Sequence, residues 1–339
     1  MYYSVIIATY NSGRTIVDCL EGIRNQTFDQ KEIEILVIDG GSTDITIDAA
    51  KERGAIVINN PHRLPEPAKL IGQQHAKGKY ICIMGSDEIL TDNTIFQRRF
   101  DFLEKHPEIH GLLAELVAPK EYSPICTYMN AVGDPFTCFV YKMYGNREYT
   151  LRRFLEKKED GANIYHFGDS DIIPIGDGGT VMNMDYIREK HFDRVNTHES
   201  SVLWDVIIRD NGYVACISDD KITHLSKSDF KTYINKLKFR VINNVHNQSG
   251  AGYAFRAKTD KSLSRRKFIY PIYCVLLPWP LFDAIQMSLR MKNIVFMLHP
   301  IFAWYVMIEI IVQYAKKLFG KESINITYGQ EFGSGKRKK

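Results

Sequence analysis

Asp87 ends the run Tyr80-Ile81-Cys82-Ile83-Met84-Gly85-Ser86-Asp87-Glu88, in which strand-forming apolar residues carry a carboxylate to the point where a strand stops. In open α/β sheets, ligands bind at the carboxyl ends of the strands. Hard divalent cations take carboxylate oxygens and share their shell with substrate phosphates. Asp87 is therefore placed for a metal–diphosphate group, and the small Gly85 and Ser86 let a bulky ligand approach the backbone. Without further context the same stretch is an ordinary turn after a buried strand.

The preceding chain supplies the elements that hold such a turn. Tyr3–Ala8 is a β-branched apolar run and reads as a buried strand. Thr9-Tyr10-Asn11-Ser12-Gly13 then makes a polar turn into a helix over Arg14–Asn25, with Ile16, Cys19, Leu20 and Ile23 on one face. Ile33–Asp39 is a second strand. It ends in Asp39-Gly40-Gly41-Ser42-Thr43-Asp44, which leads into a helix over Ile45–Arg53. Ala55–Asn59 is a third strand, Ala68–Ala76 a helix and Tyr80–Met84 the fourth strand. This alternation predicts a parallel, doubly wound sheet whose polar turns line one edge. No G-x-G-x-x-G follows the first strand and no Walker lysine motif is present, which disfavours a hydride-transfer cofactor and a P-loop ATPase.

Further on, Asn93–His106 predicts a helix and Leu112–Val117 a strand. Glu121–Asn163 has no clear period and is expected to form loops and short helices that shape a pocket. Asp171–Pro174 and Gly179–Asn183 read as a strand pair, Val202–Asp210 as a helix stopped by Gly212. Tyr213–Ser218 and Lys221–Thr223 read as strands, the latter delivering His224 to a loop.

The 339 residues are 45% hydrophobic and 25% charged, the composition of a globular chain. A net charge of +4 is too small to argue for nucleic acid. The positive charge instead concentrates in Lys227–Lys267 and recurs at Arg290, Lys292, Lys316, Lys317 and Lys321, a pattern suited to a membrane surface with anionic lipids. The six cysteines form no C-x-x-C pair and read as buried thiols. The chain opens on a strand, not a signal peptide, which predicts a cytoplasmic N-terminal part.

Ser228–Val245 is a basic amphipathic helix. Phe268–Phe282 is apolar but broken by Pro271, Pro278 and Pro280. Ile294–Ala315 is longer and interrupted by His299-Pro300, Glu309 and Gln313. Two spanning helices would put Arg290 and Lys292 on the far side, against the positive-inside preference. An interfacial or re-entrant hairpin keeps every basic cluster on one face and is the favoured arrangement, with a buried hairpin docked on the main domain, or a dimer interface, as the competitor. The expected organisation is thus a catalytic domain over 1–226, a basic helical linker over 227–265, a membrane-associated hairpin over 266–320 and a tail over 321–339.

Several of these turns together resemble one family. Ser4-Val5-Ile6-Ile7-Ala8-Thr9-Tyr10-Asn11, Asn25-Gln26-Thr27-Phe28, Val37-Ile38-Asp39-Gly40-Gly41-Ser42-Thr43-Asp44 and Ala76-Lys77-Gly78-Lys79-Tyr80-Ile81 resemble, in order, motifs of the GT-A fold glycosyltransferases of family 2. The resemblance covers about the first 95 residues and implies an α/β, mostly parallel, Rossmann-like GT-A fold. It also implies a nucleotide-diphosphate sugar donor, a divalent cation (Mn²⁺ or Mg²⁺) and inverting transfer. On this resemblance Thr9, Tyr10, Asn11, Asp39, Lys69 and Ser86 bind the nucleotide, Asp87 and His224 bind the metal, and Glu199 or Asp205 is the catalytic base. Two departures stand out: the D-x-D motif reads Gly85-Ser86-Asp87, and the base motif reads Glu199-Ser200.

The expected function is transfer of a sugar, from a UDP-sugar or a related donor, to a lipid-linked saccharide at the cytoplasmic membrane face. Alternatives are a polyprenyl-phosphate sugar synthase and a non-catalytic, membrane-docked glycan-binding protein.

Overall fold

The computed structural model describes residues 1–63, 65–142, 145–146, 150–167, 178–195, 200–210, 212–246 and 261–320. Two compact units divide them: unit 1 comprises 1–119 and 147–226, unit 2 comprises 120–146 and 227–339.

Unit 1 is built on a nine-stranded sheet. Its first half is β1 (Tyr3–Thr9), β2 (Ile33–Asp39), β3 (Ile56–Asn59) and β4 (Tyr80–Gly85), ordered β3-β2-β1-β4 and all parallel. β1, β2 and β4 are almost wholly buried, as their continuous apolar runs require when helices cover both faces. Helices Ile16–Arg24, Thr46–Glu52, Pro65–His75 and Ile95–Lys105 stand at or near their expected places. Gly72 lets Pro65–His75 close on the sheet, because a Cβ there would lie 2.3 Å from the Ile6 side chain.

Beyond β4 the sheet turns mixed. β10 (Thr180–Asn183) runs antiparallel to β4 and to β6 (Gly111–Leu112). β11 (Tyr213–Ile217) is parallel to β6, and the hairpin β8 (Leu155–Glu159) and β9 (Ala162–His166) closes that side. The expected partner of β10, Asp171–Pro174, lies outside the described residues. The strand predicted over Leu112–Val117 is divided. β6 stays in the main sheet, and β7 (Glu115–Val117) joins a small sheet ordered β5-β12-β7, with β5 Glu88–Ile89 and β12 Lys221–His224. The region Glu121–Asn163, expected to form loops and short helices, has the short helices and, beyond that expectation, most of a strand hairpin. The helices are Pro124–Val132 and Pro135–Tyr141, assigned to unit 2, and the hairpin is β8–β9 of unit 1.

Unit 2 continues with helices Phe230–His246, Lys261–Val275, Pro278–Arg290 and His299–Leu318. Pro271 sits inside one helix, while Pro278 opens the next at a position where its missing N–H costs nothing. Inside unit 2 a buried polar chain joins four segments. Tyr273 donates to the Asp283 carboxylate at 2.9 Å and accepts from His299 Nε2 at 3.1 Å, which leaves His299 Nδ1 to accept from the Tyr128 hydroxyl at 2.7 Å.

Candidate functional site

The carboxyl ends of β1, β2 and β4 lie level: Thr9 pairs in register with Asp39, and Ala8 with Gly85. Three polar turns therefore meet along one sheet edge, as the alternation of strands and helices predicts.

Asp39 organises the first two turns. Its side chain is buried and accepts from the Thr9 hydroxyl at 3.0 Å, from the backbone N–H of Gly41 at 2.9 Å and Ser42 at 2.8 Å, and from the Ser42 hydroxyl. Asn11, in the left-handed region at φ +51°, donates its N–H to the Ser42 hydroxyl, and its side-chain oxygen accepts from Thr43 N–H. Asp44 accepts from Gly13 N–H at 2.9 Å and from Thr46. Partial burial draws the Asp44 carboxyl up, but the Thr46 hydroxyl and the Gly13 and Thr46 N–H groups outweigh it and hold its pKa below the ordinary value. The Ser86 and Ser12 hydroxyls, 2.9 Å apart, join the β4 turn to the β1 turn.

The small sheet brings the second candidate metal ligand to the first. β12 pairs antiparallel with β5, with His224 opposite Glu88, and Leu225 N–H donates to the Asp87 carbonyl at 2.6 Å. His224 Nε2 then stands 3.3 Å from Asp87 Oδ2, on a partly exposed pair. Two donors that share one cation at about 2.1 Å each, at right angles, would be about 3 Å apart, so this pair fits a common ion. Among the described residues there is no group of three or more His, Cys, Asp or Glu side chains placed to hold a metal.

β12 itself is anchored by a buried ion pair. Arg99 grips Asp220 with two hydrogen bonds of 2.8 and 2.9 Å, both side chains almost wholly buried, and the Asp220 carbonyl accepts from Glu115 N–H of β7.

Gly85, where the sequence lacks an acidic residue, is enclosed by its own turn. Its N–H donates to Glu88 Oε2 at 2.9 Å, and a Cβ there would lie 2.9 Å from Asp87 Oδ1 and 3.4 Å from the Glu88 carboxylate. The buried carboxylate of Glu88 thus stands beside the position the first acid of a D-x-D motif would take.

Lys69 lies half-buried on helix Pro65–His75. Tyr10 carries the guanidinium of Arg63 over its ring at 5.6 Å, and the Arg63 backbone lies against Gly40, where a Cβ would be 3.2 Å from Arg63 Cα. Arg63 is thus a cation at the site edge that the sequence reading passed over; nothing local in the sequence marks it. Position 205 lies in helix Ser200–Asp210, and Glu199 lies outside the described residues.

A doubly wound half-sheet with mixed strands beyond β4 and a polar carboxyl edge defines the GT-A class. The fold matches a mannosyltransferase from Pyrobaculum calidifontis solved with GDP-Man and Mn²⁺, at a TM-score of 0.51 and 14% identity over 94% of this chain and 88% of that one. Residues 4–124 match the model of glycosyl transferase family 2. Glycosyltransferase GlyG of Streptococcus pneumoniae is 35% identical over 98 residues, 27% of this chain and 32% of the relative. A Methanococcus voltae enzyme, dolichyl N-acetyl-alpha-D-glucosaminyl phosphate 3-beta-D-2,3-diacetamido-2,3-dideoxy-beta-D-glucuronosyltransferase, is 34% identical over 92 residues, 25% of this chain and 29% of that one. The matches thus span about a third of the length of these relatives.

Proposed function

We propose that the chain is a membrane-associated, inverting glycosyltransferase. It moves a sugar from a nucleotide-diphosphate donor, a UDP-sugar, to a lipid-linked saccharide at the cytoplasmic membrane face. One observation carries the reading: Asp87 and His224 converge at 3.3 Å on the sheet edge that also bears the Thr9–Asp39 turn. The mannosyltransferase of like fold was solved with a nucleotide sugar and Mn²⁺, and the Methanococcus relative is named for a dolichyl-phosphate-linked acceptor.

In this reading the nucleoside lies against the Thr9-Tyr10-Asn11 and Asp39–Thr43 turns. Ser86, Lys69 and Arg63 serve the diphosphate. Asp87 and His224 hold Mn²⁺ or Mg²⁺, which, when bound, offsets the charge that grows on the departing nucleotide. A sugar hydroxyl is a poor nucleophile at neutral pH, so a carboxylate from the 199–205 segment, Glu199 or Asp205, accepts its proton as the new bond forms. Were the acceptor a polyprenyl phosphate, no such base would be needed. Replacing both Glu199 and Asp205 by Ala separates the two: only transfer to a hydroxyl is lost.

The test is turnover of a panel of UDP- and GDP-sugars with Mn²⁺ or Mg²⁺ and membrane lipid extract. Metal-dependent release of nucleoside diphosphate from wild type and its loss in Asp87→Asn are expected. The two-ligand metal set among the described residues favours one other reading, a glycan-binding protein without activity. A wild type inert toward every donor and indifferent to Asp87→Asn would establish that one.

A further inference from the structure

The outward surface of unit 2 is apolar where a water-facing surface would be polar. On helix His299–Leu318 the exposed stripe is Ile301, Trp304, Ile308 and Ile311, at the three- and four-residue steps of one helix face. The preceding helices Lys261–Val275 and Pro278–Arg290 form a bent pair at 92° and expose Phe268, Ile272, Leu277, Phe282 and Leu289. By length and composition, Ile294–Leu318 is a candidate span and the bent pair a broken span or a re-entrant loop.

Two observations oppose crossing. Helix His299–Leu318 runs parallel to Phe230–His246 along nearly its whole length. The Phe230 and Phe302 rings meet at 5.4 Å near one end, and Lys317 Nζ donates to the Val245 carbonyl at 2.7 Å near the other, with His246 and Gln313 bonded between. Helix Phe230–His246 exposes Lys231, Asn235, Lys238, Arg240 and Asn244. A helix that crossed would draw this polar face into hydrocarbon, where such side chains are costly.

The second observation is charge placement. Arg265 and Lys267 stand at one foot of the bent pair and Arg290 and Lys292 at the other. Each arm is at most about 20 Å long against a hydrocarbon core of about 30 Å. Both feet therefore stay on one side.

We infer that unit 2 docks on one leaflet of an anionic bilayer without crossing it. The exposed stripe and the elbow at Leu276-Leu277 enter the acyl region, and the basic feet and Lys316 meet lipid phosphates. Between Lys261 and Gly320 the Lys and Arg residues far outnumber the two acids, Asp283 and Glu309. A second copy would bring like charge to this face, whereas an anionic leaflet complements it. The inference deepens the membrane part of the proposed function and rests on unit 2 alone.

The experiment uses the full chain with sealed vesicles of phosphatidylcholine, with or without phosphatidylglycerol. Flotation with the anionic vesicles is expected, weakened about fivefold for each of Lys292→Gln and Lys316→Gln. In Ile294→Cys and Leu318→Cys, a membrane-impermeant maleimide added outside should label both positions. Labelling of one position only after detergent would show a crossing helix and overturn the inference. So would failure to float with either composition, including the case of a lipid-independent dimer. Calorimetry with UDP and Mn²⁺ on the same protein without vesicles reads the donor site separately, so the two failures are distinguishable.

Discussion

His224 Nε2 lies 3.3 Å from Asp87 Oδ2, although 136 residues separate them in the chain, because β12 pairs with the two-residue strand β5. Replacing His224 by Ala should remove one of two protein donors. The Mn²⁺ concentration for half-maximal activity should rise at least tenfold, since losing even groups one shell further from a metal costs 10–100-fold in affinity. His224→Gln should recover part of this.

Gly85 predicts an effect opposite to what motif repair would suggest. A Cβ there meets Asp87 Oδ1 at 2.9 Å, so Gly85→Ala must push the Asp87 side chain aside. We expect a stability loss of about 1–3 kcal/mol and weaker metal activation. Gly85→Asp should be worse than Gly85→Ala, because it adds a carboxylate beside Asp87 and Glu88. Thermal unfolding and Mn²⁺ titration of both variants check this.

Asp44 gives the β1–β2 turns a pH dependence. Its carboxyl titrates below the ordinary range in the folded chain, so the contribution is present above the unfolded pKa of about 3.9. It is lost as pH falls through the lower folded value. The Gly13 amide signal in NMR should therefore move only below about pH 4. In Asp44→Asn it should show no such step.

Arg99 and Asp220 set the position of β12 from a distance. Breaking a buried pair by removing one partner costs about 3–5 kcal/mol, so Arg99→Ala should lower Tm by about 10 °C. It should also raise the metal requirement, because His224 sits at the end of the strand that Asp220 precedes. A Tm drop without a change in metal affinity would separate the anchor from the site.

How much of this was legible follows from the physics of each element. The runs Tyr3–Ala8, Ile33–Asp39 and Tyr80–Met84 are buried on both faces, so continuous apolar sequence marks them. The division at Leu113-Ala114 was not legible: no turn residue stands where the chain passes to another sheet, and the change is marked by long-range bonds, from Leu113 N–H to the Ala215 carbonyl and from Glu115 N–H to the Asp220 carbonyl. β8 was missed because Leu-Glu-Lys-Lys-Glu is an exposed, charged edge strand with no apolar period. Its turn did carry a signal: Asp160-Gly161, both at positive φ, is a common two-residue hairpin pair. Asp87 was legible as a strand-end carboxylate, but its pairing with His224 and the approach of Arg63 to Tyr10 are products of tertiary packing.

The most direct test of the central claim is calorimetric titration of UDP into the full chain with and without Mn²⁺, on wild type and Asp87→Asn. Wild type should bind UDP at least tenfold more tightly with Mn²⁺, and Asp87→Asn should bind it equally weakly with and without the ion. A metal-dependent affinity that survives in Asp87→Asn would contradict the assignment of this carboxylate to the cation.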